Sequence, residues 1–219
     1  MTAKILYLHG LASSPQSTKA LVFGERLRAL GYETHCPDLN EDDFPGLTTT
    51  RAVRLATGLA RGLSPPILIF GSSFGGRVAA RVAEALPERV AGLVLMAPAF
   101  YFEHVWRQTL DPAARLRWKE SGALPVEHPA FDGTVPLGYG FFEDALATDG
   151  FPVLPTALPA LVFHGHADAV VPFADSVRFS AEHAGARLVA LDSDHELNDV
   201  HEELWREMEP FVQQHLGVD

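Results

Sequence analysis

One cysteine, Cys36, stands in 219 residues, so no intramolecular disulfide can form and the chain gives no sign of an oxidising compartment. Cys36 is expected to pack as a small apolar residue. No apolar run approaches the roughly 20 residues needed to span a bilayer. The amino terminus, Met1-Thr2-Ala3-Lys4, leads straight into a strand-like segment without the apolar stretch and cleavage site of a secretory signal, which makes a cytoplasmic location the expectation. Basic residues are also scarce relative to acidic ones. A net charge of -11 argues against a nucleic-acid surface and opposes binding to an anionic membrane, leaving small neutral or acyl molecules as the expected partners. There is no internal repeat, linker or low-complexity tract.

What is present is an ordinary globular composition, 47% hydrophobic and 21% charged, on a chain long enough for one well-buried core. Strand-like and helix-like segments alternate from the first residues onward, which predicts an α/β fold with a mostly parallel sheet of about six strands covered by helices on both faces. Strands are predicted at Ile5–Leu8, Tyr32–Cys36, Ile67–Phe70, Val90–Met96, Ala160–His164 and Arg187–Leu191. Helices are predicted from about Ser17 to Leu30, from about Thr48 to Leu63, and from about Val200 to Leu216. The segment from Pro98 to about Pro159 interrupts this rhythm with prolines, scattered aromatics and mixed charges. It is read as a cap-like insertion of residues 98–159 within one domain spanning 1–219, an excursion over the sheet rather than further regular strand and helix. Trp106, Trp118, Tyr139, Phe141 and Phe142 have two readings there, as the lining of an acyl or aromatic pocket or as the aromatics that hold the cap together.

The most informative stretch is Ile67-Leu68-Ile69-Phe70-Gly71-Ser72-Ser73-Phe74-Gly75-Gly76. A buried strand runs into Gly-x-Ser-x-Gly and then into a helix with Val78, Val82 and Leu86 at helical spacing. Glycines on either side of the serine permit a strand-to-helix turn so sharp that the serine is exposed at its tip. Ser73 is therefore a candidate nucleophile. A serine hydroxyl needs a base to accept its proton, most often a histidine oriented by a carboxylate, and each partner is sought on a loop beyond a later strand. Asp168, just past the fifth strand, is the preferred acid. Asp175 is the second choice, because it falls within the next helix and is expected to face solvent. His195, in the loop after the sixth strand, is the preferred base over His201 and His215, which fall within the closing helix. Asp192 and Asp194 are expected to cap the loop and the helix entry. The oxyanion of an attacked carbonyl needs two donors, and the backbone N–H groups of Phe74 and Leu11 are the candidates. His9 is expected to be structural, bonding its ring nitrogens to neighbouring loops.

Together, His9-Gly10, Gly71-x-Ser73-x-Gly75, the Asp168 loop and the His195 loop resemble the α/β-hydrolase superfamily of serine hydrolases, in family order and across nearly the whole chain. The stretch His9-Gly10-Leu11-Ala12-Ser13-Ser14 with Lys19-Ala20, the elbow, and Ser193-Asp194-His195 are similar to small bacterial esterases and a mitochondrial relative that hydrolyses acyl glucuronides and protein thioesters. The resemblance implies an ester or thioester hydrolase with no cofactor and no metal, built without the two leading strands of the larger family fold. Two rival readings remain. His164-x-His166-x-Asp168 matches part of a metal-ligand run and would make a metal-dependent hydrolase, and a hydrolase scaffold can also serve as a non-catalytic binding protein.

Overall fold

In a parallel sheet covered on both faces, successive residues of each strand face opposite cores, so a strand must be apolar throughout. The strand before Ser73 obeys this rule: all six of its residues are buried. The computed structural model describes residues 4–128 and 133–217. The stretch 1–3, into which the sequence reading placed the approach to the first strand, and residues 129–132 of the predicted cap lie outside the described residues. In chain order the first half comprises β1 (Lys4–Leu8), α1 (Thr18–Ala29), β2 (Glu33–His35), α2 (Thr49–Gly62), β3 (Ile67–Ser72), α3 (Phe74–Ala85) and β4 (Val90–Met96). It continues with α4 (Phe102–Thr109), α5 (Pro112–Ser121), β5 (Ala123–Glu127), β6 (Thr134–Gly138), α6 (Tyr139–Ala147), β7 (Ala160–Gly165), α7 (Phe173–Glu182), β8 (Ala186–Leu191) and α8 (His201–Leu216).

Six strands pair in parallel in the order β2-β1-β3-β4-β7-β8. The chain leaves β1 toward one edge to make β2 and returns on the other side of β1 to make β3. The loops after β1 and β3 therefore open a crevice at the carboxyl ends of the strands, where open α/β sheets bind ligands. Residue parity divides the interior. Leu6, Leu8, Ile67, Ile69, Leu93 and Leu95 face a core shared with α2, α3 and α7. Ile5, Tyr7, Leu68, Phe70, Val94 and Met96 face a second core closed by Phe23 and Leu27 of α1 and by Leu204, Met208 and Val212 of α8. Among the described residues, no helix is long and apolar enough to cross a membrane.

The segment between β4 and β7 corrects the expectation of an irregular excursion, because it contains three helices and an antiparallel β5-β6 pair. Part of this was written locally. Asp111 caps α5 by accepting from the Ala114 N–H at 2.7 Å, Pro112 occupies its first turn, and Gly122 ends it at φ 76°. The antiparallel pair places Pro125 opposite Pro136, a pattern that hides a strand from propensity reading because proline cannot donate to a ladder. The segment is tied to the sheet by Arg77 of α3. Its buried guanidinium donates to the Phe100 and Ala145 carbonyls, to Thr148 Oγ1, and to Asp149 Oδ1 at 2.8 Å, and Asp149 also accepts from the N–H groups of Phe102 and Glu103 at the start of α4.

Candidate active site

Ser73 sits between β3 and α3 with φ 53° and ψ -114°, a conformation that costs a non-glycine residue on the order of 1–3 kcal/mol and must be enforced by its surroundings. The enforcement comes from the neighbouring glycines. A Cβ on Gly75 would overlap the carbonyl oxygen of Leu8 at the end of β1, and one on Gly71 would stand 2.6 Å from the Gly76 Cα. A Cβ on Gly76 would stand 2.9 Å from the Pro98 Cβ. The elbow is thus wedged between the ends of β1 and β4, and the Ser73 N–H donates to the Met96 carbonyl at 2.8 Å.

The structure brings Ser73, His195 and Asp168 together. His195 Nε2 lies 3.0 Å from Ser73 Oγ, and His195 Nδ1 lies 2.7 Å from Asp168 Oδ2. The buried carboxylate accepts a hydrogen bond from Nδ1–H, which leaves the Nε2 lone pair to accept from the serine hydroxyl. The Asp168 side chain is wholly buried. Burial works against its ionisation, but hydrogen bonds from His164 and His195 and from the Val171 N–H outweigh it and hold the carboxyl well below the usual carboxylate range. Asp168 Oδ1 accepts from both the Val170 and Val171 N–H groups at 2.8 Å, which fixes the rotamer.

Other expectations are decided less evenly. Asp175 lies in α7 as predicted, but it is buried rather than solvent-facing, because its carboxylate meets His104 Nδ1 of α4 at 2.9 Å. Asp194 caps the His195 loop by accepting from the Glu196 N–H at 2.9 Å, whereas Asp192 is exposed. At the helix entry it is Asp199 that pairs, with Ser193 Oγ. His9 is held in place by its ring: Nδ1 donates to the Gly10 carbonyl at 2.9 Å and Nε2 accepts from the Leu39 N–H at 2.9 Å. With Nε2 committed as an acceptor, the nearby Asp38 carboxylate does not make a charged pair, and burial pushes the His9 pKa down. The three residues of the candidate metal run do not converge. His164 meets Asp168, but His166 is exposed and rests its ring on Phe173, 4.6 Å between centroids. Among the described residues, no group of three or more His, Cys, Asp or Glu side chains is placed to hold a metal ion.

Beside Ser73 is a cavity of about 340 Å³. Gly10, Leu11 and Ala12 line it from the loop after β1, and Ser13, Ser17, Thr18 and Lys19 extend that wall into α1. His195, Glu196 and Asn198 close it from the other side. Leu11 lines the same cavity as Ser73, and Phe74, as the first residue of α3, has an N–H that its own helix cannot use. Among the described residues, none that lines the cavity comes from 98–159. The aromatics of that segment pack on one another and on α3: Trp106 meets Trp118 at 5.3 Å and Phe142 at 5.8 Å, and Phe141 meets Phe74 of α3 at 5.5 Å. These contacts hold the segment together, and Tyr139 and Phe142 also line a separate cavity with Pro112, Arg115, Leu116 and Lys119.

Sequence reasoning gave Lys19 no role. Its side chain is buried, and its ammonium donates to the backbone carbonyl of Glu196, next to His195, while lying 3.5 Å from Glu196 Oε2. Burial lowers its pKa, and Glu196 works in the opposite direction. The available signal was a lysine in register with Ala20, Phe23 and Leu27 on the apolar face of α1.

The model of a family described as "Uncharacterised protein family (UPF0227)" matches residues 4–212. No curated protein sequence matches the chain. Among solved structures, a protein from Agrobacterium vitis S4 is similar with TM-score 0.82 at 23% identity, over 98% of this chain and 88% of that one. Est1E from Butyrivibrio proteoclasticus, with ferulic acid bound, gives TM-score 0.79 at 20% identity over 100% and 90% of the two chains. Mouse alpha/beta hydrolase domain-containing protein 10 gives 0.77 at 20% identity over 96% and 90%. These likenesses carry the fold, which is that of the α/β hydrolases.

Proposed function

The chain belongs to the Uncharacterised protein family (UPF0227), and we propose that it is a serine hydrolase that cleaves carboxylic esters of small acyl substrates through an acyl-enzyme on Ser73. The observation that carries this reading is the pair of contacts at His195, 3.0 Å to Ser73 Oγ and 2.7 Å to the buried Asp168 carboxylate, on a serine held in a strained turn.

Ser73 Oγ attacks the ester carbonyl carbon while His195 Nε2 takes the hydroxyl proton. The negative charge gathers on the carbonyl oxygen, where the N–H groups of Leu11 and Phe74 are the proposed donors. Asp168 stabilises the imidazolium. As the tetrahedral adduct collapses, the C–O bond to the alcohol breaks and His195 returns its proton to that leaving oxygen. A water then gives its proton to His195 as its oxygen bonds to the acyl carbon. When this second adduct collapses, the bond from the acyl carbon to Ser73 Oγ breaks and His195 returns the proton to Oγ, releasing the acid and restoring Ser73. Thioesters and acyl glucuronides present the same carbonyl to the same groups. The small cavity, with Ser13, Ser17, Thr18, Lys19 and Asn198 in its wall, favours short acyl or alcohol parts with polar substituents over long alkyl chains. The excess of acidic residues and the unpaired Cys36 fit a cytoplasmic enzyme of small molecules, with neither nucleic acid nor membrane as partner.

Covalent labelling by a fluorophosphonate is the direct test. The expected result is one adduct on Ser73, and a Ser73→Ala variant that neither labels nor retains more than about 10⁻⁴ of wild-type turnover on a panel of short esters. A wild-type protein that stays unlabelled, or a variant as fast as wild type, overturns the reading. Activity abolished by chelation and restored by zinc would instead support the metal-dependent alternative.

A further inference from the structure

Asp168 meets a second histidine that the acyl-transfer scheme leaves unused. His164, near the end of β7, places Nε2 at 3.0 Å from Asp168 Oδ2, the same oxygen that His195 uses, and at 3.1 Å from the Val171 carbonyl oxygen. Its Nδ1 lies 2.7 Å from Ser176 Oγ on α7, and both His164 and Ser176 are completely buried. Phe173 closes the pocket with its ring edge-on to the imidazole, 5.5 Å between centroids.

The partners settle where the proton sits. Two oxygen acceptors face Nε2, so Nε2 carries the hydrogen and shares it between them, and Nδ1 accepts from the Ser176 hydroxyl. Reversing the tautomer would set a bare Nε2 against two oxygens. A fully buried carboxylate is tolerated only when its lone pairs are met by donors. Asp168 has four: the Val170 and Val171 N–H groups on Oδ1, and His195 Nδ1–H and His164 Nε2–H on Oδ2. Of these, His195 alone takes up and releases a proton during turnover.

We propose that His164, with its tautomer set by Ser176, is a positioning residue that holds Asp168 Oδ2 in place so that His195 keeps one orientation through the cycle. The row Ser176, His164, Asp168, His195, Ser73 thus extends the candidate triad inward by two members. This rests on the serine hydrolase reading given above and deepens it.

Two measurements test it. Ring ¹⁵N shifts of His164, read on the wild-type protein, are expected to show a protonated Nε2 and an acceptor Nδ1; a proton on Nδ1 overturns the proposal. This readout does not depend on hydrolysis, so a protein that shows the expected ring state and yet fails to label at Ser73 overturns the hydrolase reading alone. In kinetics, His164→Leu is expected to lower kcat by about 10- to 100-fold with KM unchanged, a loss like that seen when the outer partner of a metal-bound histidine is removed. His164→Gln, whose amide can donate to both Asp168 and Val171, is expected to restore most of it. A His164→Leu enzyme with full kcat, or a His164→Gln enzyme as impaired as His164→Leu, overturns the proposal. Should His164→Leu not fold, Ser176→Ala decides: a fall in kcat at constant KM supports the role, and an unchanged kcat refutes it.

Discussion

A Cβ atom on Gly165 would overlap the carbonyl oxygen of Ser193. This contact presses the loop that carries Asp168 against the loop that carries His195. Backbone bonds continue the contact, from the His166 N–H to the Leu191 carbonyl at 2.8 Å and from the Ala167 N–H to the Ser193 carbonyl at 3.0 Å. The 2.7 Å approach of His195 Nδ1 to Asp168 is therefore a property of two backbones that meet where one residue has no side chain. Gly165→Ala should force the loops apart. We expect kcat/KM to fall by about a hundredfold, with a loss of about 1–3 kcal/mol in unfolding free energy. Steady-state kinetics and urea denaturation of the same variant provide the check, and wild-type kcat/KM would remove this contact from the account of the site.

Arg77 is expected to be the most costly surface-distant substitution. Its guanidinium is buried and faces the Asp149 carboxylate, so Arg77→Met leaves a partly buried charge and the Thr148 hydroxyl and two carbonyls without their donor. Removing one member of such a pair costs about 3–5 kcal/mol. Chemical denaturation should show that loss, with increased amide exchange around residues 145–150. A variant as stable as wild type would show that 98–159 is held by its aromatic packing alone.

Substrate preference should respond to the wall of the cavity and not to the aromatics. Asn198→Leu is expected to shift relative kcat/KM from polar toward alkyl esters by about tenfold. Trp118→Phe, which loses the Nε1–H bond to the Leu137 carbonyl at 2.9 Å, should lower the melting temperature and leave the preference as it was. The opposite pattern across one ester panel would return selectivity to 98–159.

Stability should decline as the pH falls through the ordinary histidine range. Burial pushes the pKa of His9 below 6.5, and burial has the same effect on His35, His201 and His215. Between the lowered folded value and 6.5 the unfolded chain binds more protons than the folded one, so the unfolding free energy rises with pH across that window and is lost below it. Asp168 acts in the same direction at lower pH: its depressed folded pKa adds stability above the ordinary carboxylate range, and that stability disappears as the pH falls through it. Denaturation at a series of pH values should show a shallower dependence between about 7 and 5 for His9→Gln than for wild type. An unchanged slope would mean that His9 is solvated in the folded state.

Much of this architecture is legible in the sequence. Ile67–Phe70 reads as a doubly covered strand because only a central strand can be apolar at every position, and the predicted strand ends lie within two residues of the observed ones, with Val90–Met96 coinciding with β4. Gly71, Gly75 and Gly76 announced the elbow because each is needed for a close approach near its own turn. The alternation of strands and helices then set Asp168 and His195 at the ends of later strands, on the loops where the structure finds them. The sequence suggests no regular strand and helix over 98–159, since Pro125 and Pro136 obscure a ladder that only their pairing reveals.

The chain's order of residues is enough to place the sheet, the elbow and the loops that bear Ser73, Asp168 and His195, because periodicity and turn chemistry act over a few neighbouring residues. Packing over long separations decided the rest. His164 reaches Asp168 and Ser176 only once α7 has folded back over β7, and Lys19 finds Glu196 across 177 residues of chain. The aromatics of 98–159 pack on one another and on Phe74 rather than in the cavity beside Ser73, because burying ring against ring satisfies them more completely than lining a small polar cavity would.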